Sequence, residues 1–518
     1  MATEAARLGG WGGAANERGR AWRDWAAGLA WWGLGMAAAL PVLLAAWRFP
    51  QHAALAALAV AGLGGLALAV LHRPAWGACA LVLLIYWNAS DVVTDTWGFA
   101  WLLRLTLAGV VLAWGMDRLL RHQAPRLRWP LLLPLLAWGG AQALAAVGAG
   151  DLGAAGARLA EFAKGAVAFY LVANLLETPR AWRQAINALL GAVVLLALPV
   201  VYQGLTGSHN LFWGFGSMEY AATAPGEFGW RLGGALGDPN FLAMVLVAAL
   251  PLGAMQALER GAGWGRRSLA LGALAMGLGA TLFTYSRAAA LGVACLVAVL
   301  LWRHPRRRWV AAVAGLGLVA VAGLAPQAVW GRIQTLAASS LTAPPAQIAD
   351  ASFRDRQHEM LTGALMFLHH PLLGVGPGNY ESEYLRYSAL AGGSGDTRVR
   401  DPHSLYIQIA AETGLVGLAA FVALLVAAYR LMERGRRRAA RLGAVHLAGL
   451  VAALELAVGL YLLLSTFLHD AYFRHFLLLL ALGGLGARLA LESGAGRQPR
   501  RSPGGAPRRP GIASGGPA

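Results

Sequence analysis

The stretch SLALGALAMGLGATLFTYSRAAALGVACLVAVLLW, residues 268–302, decides the fold. It contains two apolar runs, 268–286 and 288–302, with Tyr285-Ser286-Arg287 at their junction and almost no loop. A hydrocarbon core about 30 Å thick is crossed by about 20 residues of helix. Lipid offers no partner to backbone N–H and C=O groups, so a run of this kind must satisfy them internally, as a helix does. A lone arginine between two such runs either snorkels to the headgroups or points into the bundle at a bound anion.

Outward from this pair the same kind of run recurs at 25–47, 52–71, 76–93, 97–116, 129–147, 160–177, 185–202 and 239–258. It continues at 309–325, 413–432, 443–468 and 472–487. The expected fold is an all-α polytopic membrane protein with about 14 (range about 12–14) transmembrane helices. Of 518 residues, 58% are hydrophobic and 13% charged, whereas a soluble domain carries about a quarter charged residues. The first run is too long and too rich in tryptophan for a cleaved signal peptide. Cys79 and Cys295 both lie within apolar runs, so neither a disulfide framework nor a zinc site is indicated.

A net charge of +18 invites a nucleic-acid reading until the charge is placed along the chain. With the N-terminus inside, 29 arginines fall in 1–24, 72–75, 117–128, 178–184, 259–267, 303–308, 433–442 and 488–518. Those segments all lie on one side, as the positive-inside rule requires of cytoplasmic loops. The basic excess is therefore a topology signal, and nucleic acid is dropped as a partner. The resulting organisation is a cytoplasmic N-terminus (1–24), then spans one to eleven (25–325) with an outer loop at 203–238. A large, partly helical outer loop (326–412) separates the eleventh and twelfth spans. The last three spans occupy 413–487, and a basic cytoplasmic tail, 488–518, is disordered from about Ser493. Inside the large loop, Met360, Leu361, Ala364, Leu365 and Leu368 mark one face of a helix that His369-His370-Pro371 ends.

Chemistry is sought among polar residues near the outer face, because charge in lipid costs about 2.5 kcal/mol or more unless pairing or function retains it. Arg231-Leu-Gly-Gly-Ala-Leu-Gly-Asp238-Pro239-Asn240 leads into a span whose N-terminus Asp238 or Asn240 can cap. Arg231 and that helix N-terminus make an anion seat, or a capped helix with an incidental arginine. Arg354 and Arg356 precede Gly374-Val-Gly376-Pro-Gly378, a run that either cradles phosphate or forms a turn-rich loop. His358-Glu359 lacks the second histidine of a zinc-protease helix. His403 in Asp401-Pro402-His403-Ser404-Leu405-Tyr406 is an interfacial histidine or a base for a hydroxyl. Lys164, the only lysine in the chain, either pairs with Glu161 on its own helix or lines a polar cavity. Arg104, His469, Asp470 and Arg474 are further polar residues near span ends.

Taken in order, four segments resemble the bacterial O-antigen ligase and O-antigen polymerase superfamily. They are Arg231-Leu-Gly-Gly through Asp-Pro-Asn240, Tyr-Ser-Arg287-Ala-Ala-Ala-Leu, His370-Pro-Leu-Leu-Gly-Val-Gly-Pro-Gly-Asn-Tyr380, and Pro402-His403-Ser-Leu-Tyr through Glu412-Thr-Gly-Leu-Val-Gly417. The resemblance covers roughly residues 160–485. Ser404 stands where the family commonly has Asn. The resemblance implies a metal-independent, inverting glycosyltransferase without cofactor in the bacterial inner membrane, with both termini cytoplasmic and its outer loops periplasmic. The donor would be a glycan on undecaprenyl diphosphate, and the acceptor a hydroxyl of the lipid A core. O-antigen or exopolysaccharide polymerase and protein O-glycan ligase are the alternatives within the superfamily. On this reading Arg231 and Arg287 clamp the diphosphate and His403 is the general base. Arg354, Arg356, Asn240, Lys164, Gly376 and Tyr406 bind substrate. The rival from another class is a multi-span transporter or lipid-linked glycan flippase. Against it, no internal repeat relates the two halves of the chain.

Overall fold

The computed structural model describes residues 73–120, 122, 129–224, 227–259, 261–303, 351–392, 399–469 and 473–493. The spans expected at 25–47, 52–71 and 309–325 lie outside the described residues, as do most of the basic tail and part of the large loop. The rest is almost entirely helical. In chain order the helices are α1 (Pro74–Tyr86), α2 (Ala89–Trp97), α3 (Leu102–Leu120), α4 (Leu132–Ala146), α5 (Leu152–Leu175) and α6 (Pro179–Thr206). After a hairpin come α7 (Pro239–Ala257), α8 (Trp264–Phe283), α9 (Arg287–Arg303), α10 (Ala351–His369) and α11 (Tyr380–Leu390). The last three are α12 (Leu405–Arg441), α13 (Val445–Leu464) and α14 (Phe473–Glu492).

Among the described residues, five helices are long and apolar enough to cross a membrane: α6, α7, α12, α13 and α14 from Arg474 onward. The pair α1 and α2, bent by 56° at Trp87-Asn88, would make a sixth. The run read as a single third span at 76–93 is therefore a broken one. Asn88 makes the break with a left-handed φ of 58°. Arg474 of α14 holds it there, donating to Asn88 Oδ1 (3.3 Å) and Ser90 Oγ (3.4 Å) and forming an ion pair with Asp91. Asn88 in turn donates to Ala235 O (3.0 Å). α7 is the most enclosed element, buried on every side, with α6, α8, α9 and α13 against it.

The expected outer loop at 203–238 contains structure the hydrophobic runs did not announce. Strands β1 (Ser217–Ala224) and β2 (Glu227–Gly234) form an antiparallel hairpin in which Glu219 faces Arg231 and Tyr220 faces Trp230. The helix expected inside the large loop is α10. It ends at His369, and His370 Nε2 lies 3.0 Å from Tyr387 Oη of α11. α10 and α11 enclose a small core of Met366, Val375, Tyr380, Tyr384 and Tyr387 that reaches the bundle through Ala411.

That junction is made by backbone. α12 is interrupted at Gly414, whose φ and ψ are 61° and −161°. The break frees backbone groups, and the segment 371–376 pairs with four of them. Leu415 N donates to Pro371 O (2.8 Å) and Val416 N to Leu372 O (3.2 Å). In return Val375 N donates to Ala411 O (2.9 Å) and Gly376 N to Glu412 O (2.9 Å). The fit leaves no room for side chains: a Cβ on Gly414 would lie 2.3 Å from the Leu372 carbonyl, and one on Gly374 2.4 Å from Ala411 O.

Gly414→Ala combines this clash with left-handed strain and should cost about 3 kcal/mol or more. Gly191→Ala, where a Cβ meets nothing within 4 Å, should change stability by about 1 kcal/mol at most, in the stabilising direction. Thermal unfolding of the two variants in detergent measures the difference. Equal midpoints would show that the interlock does not carry this load.

Candidate functional site

Arg231 enters from β2 and is buried, with 7% of its surface exposed. Its Nε and Nη2 donate to Thr284 O at 3.2 and 3.1 Å, and Nη2 also donates to Asn240 Oδ1 at 3.0 Å. Thr284 is the residue at which α8 stops, so its carbonyl has no partner in a following turn. Asn240 begins α7 after Pro239, and Asp238 is the cap: its Oδ1 accepts from Asn240 N (2.5 Å) and Phe241 N (3.1 Å). Glu219 across the hairpin is 3.7 Å from Arg231 Nη1. One guanidinium thus joins the hairpin, the end of α8 and the start of α7.

Arg287 opens α9 directly after the break, where Tyr285 has a φ of 53°. Arg356 approaches from α10. The three guanidiniums are within electrostatic reach of one another. Burial lowers the Arg356 pKa, and Arg287 and then Arg231 lower it further, while Glu359 and Asp238 oppose them. Burial likewise lowers the Arg231 pKa; Glu219 and Asp238 act against this, and Arg287 adds to it. Guanidiniums stay protonated under such pressure, so the arrangement favours negative charge nearby rather than proton loss.

His403 lies just before α12 in a left-handed conformation, φ 42°. Non-glycine residues held at positive φ cost of order 1–3 kcal/mol and concentrate at functional sites. Leu405 N donates to Ser465 O (2.9 Å), which ties this end of α12 to α13. Ser404, in the N-cap position, makes no side-chain cap. Burial, with Arg356, His469 and Arg400 nearby, holds the His403 imidazole down to about 3, so the ring is neutral near pH 7. Its Nε2 is 3.7 Å from Oε2 of Glu359. Its Nδ1 is closed off from water and has no hydrogen-bond partner. Arg400 Nη1 reaches Asp355 Oδ2 (2.6 Å) and Glu359 Oε1 (3.4 Å). His469 stacks edge-on with His403, their centroids 5.5 Å apart, and its Nε2 is 3.6 Å from Asp401 Oδ2.

The residues singled out from sequence divide under this geometry. Arg231, Asn240, Arg287, Arg356 and His403 come together. Arg354 does not: two residues from Arg356, it points about 200° away around α10 and is exposed. Lys164 is ion-paired with Glu161 one turn earlier on α5. The Gly376 N–H, read as part of a phosphate cradle, is spent on Glu412 O, and its Cα packs against Ala149. Tyr406 donates its hydroxyl to Leu462 O (2.7 Å), which makes it a tie between α12 and α13. Arg474 anchors the α1–α2 break, and Arg104 lies over the Trp101 ring at 5.1 Å. Glu359 and Arg400 were missed, because their importance rests on facing His403 rather than on any motif. Among the described residues, no group of three or more His, Cys, Asp and Glu side chains could hold a metal ion.

The fold and site define a helical membrane protein with a desolvated arginine cluster beside a neutral histidine, a constellation suited to anionic groups and to proton transfer from a hydroxyl. Residues 272–422 match the family model described as O-antigen ligase. That segment, under a third of the chain, is similar to the family and supports a place in the O-antigen ligase superfamily. The match takes in Arg287, Arg356, Glu359 and His403 but stops short of Arg231 and Asn240, which the geometry adds. No curated protein matches the chain.

Inorganic pyrophosphate is a direct probe of this anion seat. A charge-assisted hydrogen bond contributes about 1.5–3 kcal/mol, so Arg356→Ala should weaken pyrophosphate binding by at least about tenfold. Arg354→Ala should leave it within about twofold. Titration calorimetry on the two variants tests the division between them.

Proposed function

We propose that this protein is a metal-independent, inverting glycan transferase. It takes a glycan from undecaprenyl diphosphate at the periplasmic face of the inner membrane and passes it to an acceptor hydroxyl, in the manner of an O-antigen ligase acting on the lipid A core. The observation that carries this reading is the meeting of Arg231, Arg287 and Arg356 within reach of a histidine kept neutral.

Breaking the bond between the anomeric carbon and the diphosphate places new negative charge on the leaving oxygen. Fixed guanidiniums in a desolvated site stabilise that charge without reorganising, and therefore favour the transition state over the bound ground state. Arg231 is fixed most firmly, because Thr284 O and Asn240 hold its fork. Neutral His403 accepts the proton of the acceptor hydroxyl as its oxygen attacks the anomeric carbon from the side opposite the diphosphate. One displacement inverts that centre. A polymerase or a protein O-glycan ligase would use the same chemistry with a different acceptor.

Reconstituted protein supplied with undecaprenyl-diphosphate glycan and lipid A core, in the presence of a chelator, should form the joined product. His403→Ala and Arg287→Ala should each lower turnover by about 100-fold or more, with unfolding midpoints unchanged. A requirement for a divalent cation, or turnover surviving the loss of His403, defeats the mechanism. Transfer to a second lipid-linked glycan or to a protein, and not to lipid A core, would reassign the acceptor. Solute flux unaffected by both substitutions would favour a carrier.

A further inference from the structure

The proton taken from the acceptor needs a destination, and the surroundings of His403 make the imidazole a poor one. Arg356, Arg400 and His469 all face it, and each disfavours an imidazolium. Among the described residues, the acidic side chain placed against its Nε2 is Glu359, 3.7 Å away. Glu359 is buried, 2% exposed, and its Oε2 has no hydrogen-bond partner. Its backbone is pinned by Tyr380, whose hydroxyl donates to Glu359 O (2.6 Å) and so ties this point of α10 to α11.

We propose that Glu359 is the terminal proton acceptor of the transfer reaction, with His403 relaying the proton between its two ring nitrogens. This inference rests on the glycan-transfer reading and deepens it. In the resting site Nε2 carries the proton and faces the carboxylate, which leaves Nδ1 as a buried, unpartnered lone pair that the acceptor hydroxyl reaches only when substrate entry opens the cover over it. As the acceptor oxygen forms its bond to the anomeric carbon, its proton moves to Nδ1 and the Nε2 proton moves to Glu359 Oε2. The bond from the anomeric carbon to the diphosphate breaks, and its electron pair stays on the phosphate oxygen among the arginines. The imidazole is neutral before and after, and no third cation forms beside Arg356 and Arg400. As product leaves and water enters the opened site, the Glu359 proton returns to Nε2 and the Nδ1 proton passes to that water. The 3.7 Å separation is that of a resting site, where catalytic hydrogen bonds are often long and tighten once substrate binds.

The titration of the carboxyl group agrees with this role. Burial pushes the Glu359 pKa up to about 7, against the pull of Arg400 and Arg356 and with Asp355 adding to the rise. A group of that affinity accepts a proton readily and is still ionised in much of the protein above neutral pH. The sign follows from the form required. Carboxylate is the active form, so activity should fall as pH drops through about 7. The other titratable and charged groups facing the pair are Asp355 and Arg356 on α10, Arg400 and Asp401 before α12, and His469 after α13.

The experiment is the pH profile of single-turnover rates with donor and acceptor preloaded on the full-length protein in lipid. Glu359→Gln keeps the size of the side chain and removes its basicity. It should slow transfer about 100-fold, leave pyrophosphate affinity within about twofold, and abolish the acid limb near pH 7 in the residual rate. Glu359→Asp should retain the limb at a rate reduced about tenfold, which keeps the test valid if the Gln variant folds poorly. A Gln variant within about threefold of the parent, with the acid limb intact, overturns the relay. The parent reading fails separately. If His403→Ala is active, the histidine mechanism falls; if His403→Ala is inactive while Glu359→Gln is active, the relay alone falls.

Discussion

The break in α12 at Gly414 and the segment that fills it are the constraint on which the site depends. Two backbone N–H groups and two carbonyls of α12 are answered by the segment 371–376. An unpaired backbone group in an apolar setting costs several kcal/mol, so neither partner is stable without the other. α10 runs into this segment from one side and His403 leads into α12 from the other. The interlock therefore fixes α10, with Arg356 and Glu359, against the loop that bears His403. Gly374 and Gly414 are required because two backbones approach closely there. The Gly-Val-Gly-Pro-Gly run is a structural lock, and its likeness to a phosphate loop is one of composition only.

The arginine cluster illustrates how the chain tolerates charge that it keeps from water. Arg231 is stabilised by a carbonyl left over at the end of α8, by an amide at the start of α7 and by Glu219 across the hairpin. Each of these is a group that its own element could not satisfy or had to spare. Arg287 and Arg356 still interact unfavourably with Arg231, and Glu219, Asp238 and Glu359 oppose that repulsion. On the proposed function, a diphosphate entering such a site would meet guanidiniums already held in place.

Much of this was legible in the sequence, and the limits have physical causes. Hydrophobic runs of about 20 residues located α6, α7, α13 and α14 well, because lipid enforces a length. They also found the part of α12 after Gly414, but not the breaks at Asn88 and Gly414, which are satisfied by residues far away in the chain. Arg231, Arg287 and His403 were readable because short motifs surround them. Glu359 and Arg400 were not, because what matters is the side chain they face across two elements. The hairpin was missed although Met218 to Leu232 alternates and Pro225-Gly226 is a turn signal; in a chain this apolar, a short alternation is outweighed by the runs on either side. Arg354 and Arg356 looked equivalent in sequence, and helical periodicity alone separates them.

The two strained residues of the site fall at its two hinges. Tyr285 carries a positive φ where α8 gives way to α9, and His403 carries one just before α12. At the first, the helix must stop so that Thr284 O can hold Arg231 and Arg287 can begin the next helix. At the second, the chain must turn so that Nε2 meets Glu359. Each strain is maintained because relaxing it would break contacts that hold buried charge, and those contacts connect. Thr284 links to Arg231, Arg231 interacts with Arg356, and Arg356 precedes Glu359 by three residues on α10. On the proposed mechanism, leaving-group stabilisation and proton removal would share this connected unit, so a substitution at either hinge should disturb both halves of the chemistry together.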